Sequence, residues 1–266
     1  MTADPAHSAG KLVPREDYRA VYDPLAGFES ICSRARQRRN IAFLTTHAPR
    51  RILEVGCGAM ILATLDGAER LSFDVWTIVE PEPDFQAAAR QATAGDARFR
   101  VVPGYLEAVL TDLLTSQPQG YDAVLLSGLL HETAAPDVLL AAAVQALTPG
   151  GHLLASVPNA RSFHRLLAVE AGLIPAPATL SPRDRALGHP VVFDADGLRT
   201  LVAAAGLTGL TLDGYLFKPF THAQMELLLQ AEGPALRDCL VDGLIALGKQ
   251  FPDHAAEICV TGRKPA

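Results

Sequence analysis

The residues suited to chemistry sit at the ends of short apolar runs. Ile52-Leu53-Glu54-Val55-Gly56-Cys57-Gly58 carries an apolar stretch straight into a Gly-x-Gly turn. Glycine serves where backbone must approach a ligand with no Cβ in the way. A helix after such a turn would aim its N–H groups and positive dipole end at a carboxylate or phosphate. Glu80 lies 22 positions beyond Gly58 and closes the next apolar run. A carboxylate there can accept hydrogen bonds from both hydroxyls of a ribose. His131, in Leu129-Leu130-His131-Glu132, follows a fourth apolar run, and His189 follows a proline-rich stretch. Imidazole is the usual group for taking a proton near neutral pH, so both are candidate bases. His131 is equally readable as a ligand contact or a packing histidine, and His189 as a loop residue. Tyr18 and Tyr22, on an N-terminal helical stretch, could close over a ligand or simply pack. His164, Lys218 and His222 are weaker candidates.

The elements that must position these groups alternate. Residues 51–55, 74–79, 98–102, 121–126 and 152–157 are apolar runs ending at Gly56, Glu80-Pro81, Pro103-Gly104, Ser127-Gly128 and Pro158-Asn159. Helical stretches lie between them at 83–93, 106–115 and 136–147. Strands that are apolar throughout, with helices between, imply a parallel sheet covered on both faces. Ligands of such sheets bind at the carboxyl ends of the strands where the order reverses, so the first four strand tips could surround one nucleoside. Residues 16–48 read as helical up to Pro49. After 158 the alternation breaks into an irregular stretch with Pro175, Pro177, Pro182, Pro190 and the charges Arg183, Asp184 and Arg185. A long irregular insertion of this kind suits a lid or substrate loop. The pattern resumes with a helix over 195–205 and a strand over 210–217. Thr221-His-Ala-Gln has capping-box spacing, starting a helix that ends near Gly233. A helix over 234–247 follows, with Leu236, Leu240 and Leu244 on one face and Gly248 past its end, then a strand over 257–261.

The chain has 266 residues, 49% hydrophobic and 20% charged, with mean hydropathy +0.17. That composition excludes a disordered chain. No apolar run approaches the ~20 residues that span a bilayer. The opening Met-Thr-Ala-Asp-Pro-Ala-His has no basic patch leading into an apolar stretch, so a cytoplasmic protein without a secretory signal or membrane partner is expected. With 23 basic against 29 acidic residues and a net charge of −6, nucleic acid is not an expected partner. The one basic cluster, Arg34, Arg36, Arg38 and Arg39, scatters around a helix and reads as a solvated face or an anion contact. Cys32, Cys57, Cys239 and Cys259 form no CxxC, and no histidine pair has zinc spacing, so buried free thiols and no metal are expected.

Over roughly 50–160 the sequence resembles the class I S-adenosylmethionine-dependent methyltransferases, in particular their small-molecule members. Leu53 to Gly58 looks like that family's first motif, Glu80 like its ribose-binding acid, Tyr121-Asp122-Ala123-Val124 like the opening of its fourth strand, and Leu147-Thr148-Pro149-Gly150-Gly151 like its signature before strand five. The resemblance implies an α/β, Rossmann-like, doubly wound seven-stranded sheet, mostly parallel with an antiparallel last strand, plus an N-terminal helical cap and an inserted lid. It divides the chain into a cap (1–48), a cofactor-binding core (49–159), a lid (160–192) and the C-terminal part of the sheet (193–266). It implies S-adenosyl-L-methionine held by Glu54, Gly56, Cys57, Gly58, Glu80, Pro81, Gly104, Tyr105, Leu106, Ser127 and Gly128, with adenine near 104–107. The acceptor would meet Tyr18, Tyr22, His131 and His164, with His131 and His189 as catalytic groups. The implied reaction is methyl transfer to an oxygen or nitrogen of a small metabolite, with secondary metabolism as a setting. The apolar C-terminal helices suit a homodimer.

Two positions depart from the family pattern. Ala59 and Met60 stand where many members continue the glycines, and Tyr105 follows Gly104 where many carry Asp, which leaves Tyr105 or Glu107 for the adenine. Two rival readings remain. A nicotinamide-dependent oxidoreductase would want a third glycine where Ile61 stands. A methyltransferase fold without turnover, serving as a binding subunit, would tolerate the changes at Met60 and Tyr105. Against DNA substrates, no Asn/Asp-Pro-Pro-Tyr/Phe follows the fourth strand, and Cys239 is preceded by Asp238 rather than proline.

Overall fold

Each apolar run bounded by turn residues becomes a strand of one sheet in the computed structural model, which describes residues 27–266. The chain runs α1 (Gly27–His47), β1 (Arg51–Val55), β2 (Val75–Glu80), α2 (Pro83–Ala92), β3 (Phe99–Pro103), α3 (Leu106–Ser116), β4 (Tyr121–Ser127), α4 (Pro136–Ala146), β5 (Leu147–Pro158), α5 (Phe163–Glu170), α6 (Pro182–Ala186), α7 (Ala195–Ala204), β6 (Thr208–Tyr215), α8 (His222–Gln230), α9 (Pro234–Gln250) and β7 (Glu257–Arg263). The sheet order is β3-β2-β1-β4-β5-β7-β6. β1 to β5 pair in parallel, and β7 is antiparallel to both β5 and β6. The expected seven-stranded, mostly parallel Rossmann-like sheet is therefore present. The order reverses between β1 and β4, which makes their carboxyl tips the walls of a crevice.

Two apolar layers hold the sheet. Leu106, Leu110, Leu139, Leu140, Leu198 and Val202 bring α3, α4 and α7 onto one face. Phe43 and Leu44 of α1 join Trp76, Ile78, Ile61 and Leu62 on the other. A third cluster ties the start of α1 (Phe28, Cys32) to Tyr215, Leu216 and Cys259, with Met225 and Leu229 of α8 and Leu244 of α9. α1 thus lies across the sheet beside the crevice. No helix among the described residues is long and apolar enough to cross a membrane.

Several expectations change. The segment after Gly58 forms only two 3-10 turns, Leu62–Thr64 and Ala68–Arg70, instead of a helix. Ile61 and Leu62 are both drawn into the Trp76 cluster, and Gly67 breaks the path at φ 95°. β5 begins at Leu147 rather than 152: Leu147 pairs with Tyr121 and His152 with Ala123, and the Thr-Pro-Gly-Gly stretch between them bulges out of the β4 register. α9 runs through Gly248 instead of stopping before it. A Cβ at 248 would sit 2.8 Å from the Tyr215 carbonyl carbon and collide with the Leu216 nitrogen, so glycine serves close packing there rather than a cap. Of the three leucines read on one face of α9, Leu244 packs inward while Leu236 and Leu240 stay exposed. The Thr221 capping box forms as expected. Tyr18 and Tyr22 lie outside the described residues.

Candidate active site

The crevice is built first from backbone. Gly56 and Gly58 sit at φ +73° and +61°, a region costing other L-residues about 1–2 kcal/mol. Gly56 N–H donates to Val79 O at 2.8 Å, which joins the loop to the tip of β2. Gly58 N–H donates to Glu80 Oε2 at 3.2 Å, and open space lies where its Cβ would be. The loop therefore leaves one side bare.

Glu80 faces this loop. Its Oε1 accepts from Glu82 N–H at 2.9 Å, and the Cys57 thiol reaches Oε2 at 3.6 Å. Burial and the nearby Glu54 and Glu80 carboxylates push the Cys57 thiol far up, so it is a neutral donor and no nucleophile. Glu54 stands one layer lower. It is buried and accepts from Trp76 Nε1 at 3.0 Å. Burial raises its carboxyl to about 7, opposed by the Trp76 hydrogen bond and helped by Glu80.

Next to the loop lies a small apolar cavity of about 60 Å³. Val55, Gly56, Val79, Pro81, Gly104, Tyr105, Leu106, Glu107, Leu129, Glu132, Thr133 and Leu139 line it. Tyr105 and Glu107, the two alternatives at the third strand tip, both face it. Tyr105 is 42% exposed and able to lie over a flat ligand.

A second cavity, about 160 Å³, opens on the other side of β4. α1 supplies Glu29, Cys32 and Arg36, the β4 tip supplies Gly128, His131 and Glu132, and the 160–192 segment supplies His164, Arg165, Asp184 and His189. Lys218, His222 and Glu257 complete it. Glu132 lines both cavities. Beside Pro158, Ala160, Leu187 and Val192, the charged side chains of the wall are paired. Arg36 Nε and Nη2 grip Glu257 at 2.8 and 2.6 Å, and Tyr215 hydrogen-bonds the same carboxylate. His222 Nε2 lies 2.9 Å from Glu29, and its Nδ1 lies 2.9 Å from Lys218 Nζ. Arg165 reaches Asp184 at 3.3 Å and donates to Pro177 O at 2.8 Å and to Thr179 O, which pins the proline-rich loop.

His131 and His189 meet here with ring centroids 4.4 Å apart and planes at 80°. Both are buried. Burial lowers His131 to about 3, with His189 and Arg36 adding and Glu132 and Asp184 opposing. Burial, Lys218 and Arg165 lower His164 to about 2. Burial works against ionisation of Asp184, but hydrogen bonds from His189 and Ser181 and the Arg165 charge win and hold its carboxyl below the usual range. One ligand atom from each of His131, Glu132 and His189 lies within 4.8 Å of the others. Spacing along the chain gives no sign of this grouping, and the expectation of no metal rested on that spacing.

The fold thus brings together His131, His189, His164, Lys218 and His222, and separately Gly56, Cys57, Gly58, Glu80, Pro81, Gly104, Tyr105 and Leu106. Ser127 takes a bond from Asn40 Nδ2 at 2.9 Å. Gly128 lies against the Arg36 guanidinium and donates to Ser156 O at 2.9 Å. Arg165, Asp184 and Glu257 carry no site signal in the sequence, and Arg36 stands there only within a cluster open to a solvated face or an anion contact. The arginine cluster is also not a uniformly solvated face: Arg34 and Arg38 are exposed, but Arg36 and Arg39 are half-buried against Glu257 and Asp213.

A profile of the family described as "Methyltransferase domain" matches residues 29–212. No curated protein matches the sequence. Solved structures with the same fold include phosphoethanolamine N-methyltransferase 2 of Haemonchus contortus, solved with phosphomonomethylethanolamine and S-adenosylhomocysteine. It is 18% identical at a TM-score of 0.54, over 86% of this chain and 53% of that one, so this chain spans about half its length. The cyclase SpnF is 18% identical at 0.54, over 92% and 86% of the two chains. The N-methyltransferase NodS of Bradyrhizobium japonicum, bound to S-adenosylhomocysteine, is 14% identical at 0.51, over 96% and 95%.

Proposed function

The chain belongs to the methyltransferase-domain family, and from that premise we propose that it uses S-adenosyl-L-methionine to methylate an oxygen or nitrogen of a small polar metabolite. Backbone groups of Gly56, Cys57 and Gly58 hold the methionine end. Glu80 takes the ribose hydroxyls. Pro81, Gly104, Tyr105 and Leu106 enclose the adenine, and Ser127 and Gly128 form the floor beside the sulfonium. Glu54 supports this loop from below.

The observation that carries the reading is the placement of the Glu80 carboxylate against the Gly58 amide, at the same strand tips as an apolar slot. A sulfonium is already a strong electrophile, so the protein's task is alignment at about 3–3.5 Å, which can supply several kcal/mol. The acceptor occupies the second cavity, roofed by the 160–192 segment, where His131 and His189 activate it and His164 contacts it. The paired charges there suit a polar acceptor. A nicotinamide cofactor is disfavoured, because Ile61 is buried where the third glycine would stand and no helix follows the loop to face a pyrophosphate.

Calorimetric titration with S-adenosylhomocysteine tests this. Charge-assisted hydrogen bonds are worth roughly 1.5–3 kcal/mol each, so Glu80→Ala should weaken binding on the order of a hundredfold. Unaltered affinity in that variant, or tighter binding of NADH by the native protein, would refute the assignment. Cofactor binding with no methylated product across hydroxyl and amine acceptors would point to the non-catalytic subunit instead.

A further inference from the structure

The His131–His189 contact poses a problem of unpaired nitrogens. His131 Nδ1 and His189 Nε2 are both fully enclosed and have no hydrogen-bond partner. Buried polar atoms without partners are rare in folded proteins and usually mark a function. Both belong to side chains at least nine-tenths buried, and both residues line the second cavity. The other nitrogen of His189, Nδ1, lies 3.7 Å from Asp184 Oδ1. Asp184 is itself fixed by Ser181 N–H at 2.7 Å and by Arg165. Closing that 3.7 Å gap to a hydrogen bond would keep the proton on Nδ1 and leave the Nε2 lone pair facing inward, an arrangement typical of metal-ligating histidines.

We propose that His131, Glu132 and His189 form a mononuclear site for a divalent first-row transition-metal ion, with Asp184 as the carboxylate that orients His189. Two imidazoles and one carboxylate are a common donor set for zinc and ferrous iron, and they leave coordination positions open. Metal–ligand bonds near 2.1 Å separate neighbouring donor atoms by roughly 3.4 Å in a tetrahedral shell. The three donor atoms all lie within 4.8 Å of one another, so each pair needs to close by at most about 1.4 Å to reach that spacing. The cations nearby are already matched: Arg36 by Glu257, and Arg165 by Asp184. Because Glu132 also lines the apolar slot, the ion sits at the junction of the two cavities. There its open positions would take the acceptor heteroatom and lower its pKa. That role rests on the methyltransferase reading, whereas the site itself does not.

Chelator-treated full-length chain titrated with Co²⁺ tests the site, by visible absorption and calorimetry. One equivalent should bind with the bands of a low-symmetry cobalt centre. His131→Gln and His189→Gln should each weaken it at least tenfold, and the double variant should abolish it. Asp184→Asn should weaken it about 10–100-fold. Circular dichroism and thermal melting confirm that each variant is folded, and His131→Ala and His189→Ala serve if a Gln variant is not. Absence of stoichiometric cobalt in the native chain, or unchanged binding in the folded double variant, overturns the site. A parallel titration with S-adenosylhomocysteine separates the two readings. Cofactor binding without cobalt binding removes the metal site alone, and cobalt binding without cofactor binding supports the site while removing the methyltransferase reading.

Discussion

Glu54→Gln is the sharpest probe of how the loop is built. The carboxyl is buried, bonded to Trp76 and held at about 7 against an ordinary 4.5. The folded chain therefore keeps a proton that the unfolded chain has lost between those two values. Stability from this group is fully present below about 4.5, falls as pH rises towards 7, and is flat above. The gap between 4.5 and about 7 corresponds to on the order of 3 kcal/mol. Glutamine keeps the carbonyl that accepts from Trp76 Nε1 and removes the charge. The variant should match the native protein near pH 4.5 and exceed it by about 3 kcal/mol at pH 8. Urea denaturation of both proteins across pH 4.5–8.5 reads the difference, and other titrating groups cancel in it. Cofactor affinity should change less than about threefold, because Glu54 lies beneath the loop. A flat difference curve would refute the buried-acid argument. A large loss of cofactor affinity would show that Glu54 touches the ligand directly.

Two other substitutions test the packing around the site. Gly248→Ala drives a methyl into the backbone at Tyr215 and Leu216 and should cost at least about 2 kcal/mol in chemical denaturation, whereas a true helix-end glycine would cost much less. Arg36→Met leaves Glu257 buried with, among the described residues, Tyr215 as its remaining partner, and should destabilise by roughly 3–5 kcal/mol, with Glu257→Gln in the Arg36→Met background restoring much of the loss; a native-like melting curve for the single variant would return Arg36 to the status of a surface residue.

The parallel sheet was legible because its strands are largely apolar and stop at turn residues, so β1 to β4 differ by at most one residue from their expected ends. The Gly loop and Glu80 were legible because adjacent parallel strands bring their tips together whatever the side chains do. The 3-10 path after Gly58 was not. Ile61 and Leu62 fit a helical pattern as well as a buried turn, and only the pocket around Trp76 decides between them. Arg36 stayed between a solvated face and an anion contact for a related reason. On the helix alone it sits among three other arginines, and its partner Glu257 comes from the far end of the chain.

The two halves of the crevice draw on different parts of the sequence, and that difference has a chemical consequence. The proposed cofactor side consists of backbone amides, the Glu80 carboxylate and a mostly apolar slot taken largely from residues 55–107, where the strand tips set the geometry. The second cavity, the proposed acceptor side, takes its side-chain pairs from α1, the 160–192 segment and the Lys218–Glu257 stretch. None of these is fixed by the strand-tip geometry, so each can change without disturbing the Gly loop. Arg165 shows the coupling that results: it tethers the proline-rich loop through Pro177 and Thr179 and also holds Asp184, which lies against His189. Loosening that loop would therefore shift His189, and on the proposed reading the choice of acceptor follows from the insertion rather than from the Gly loop.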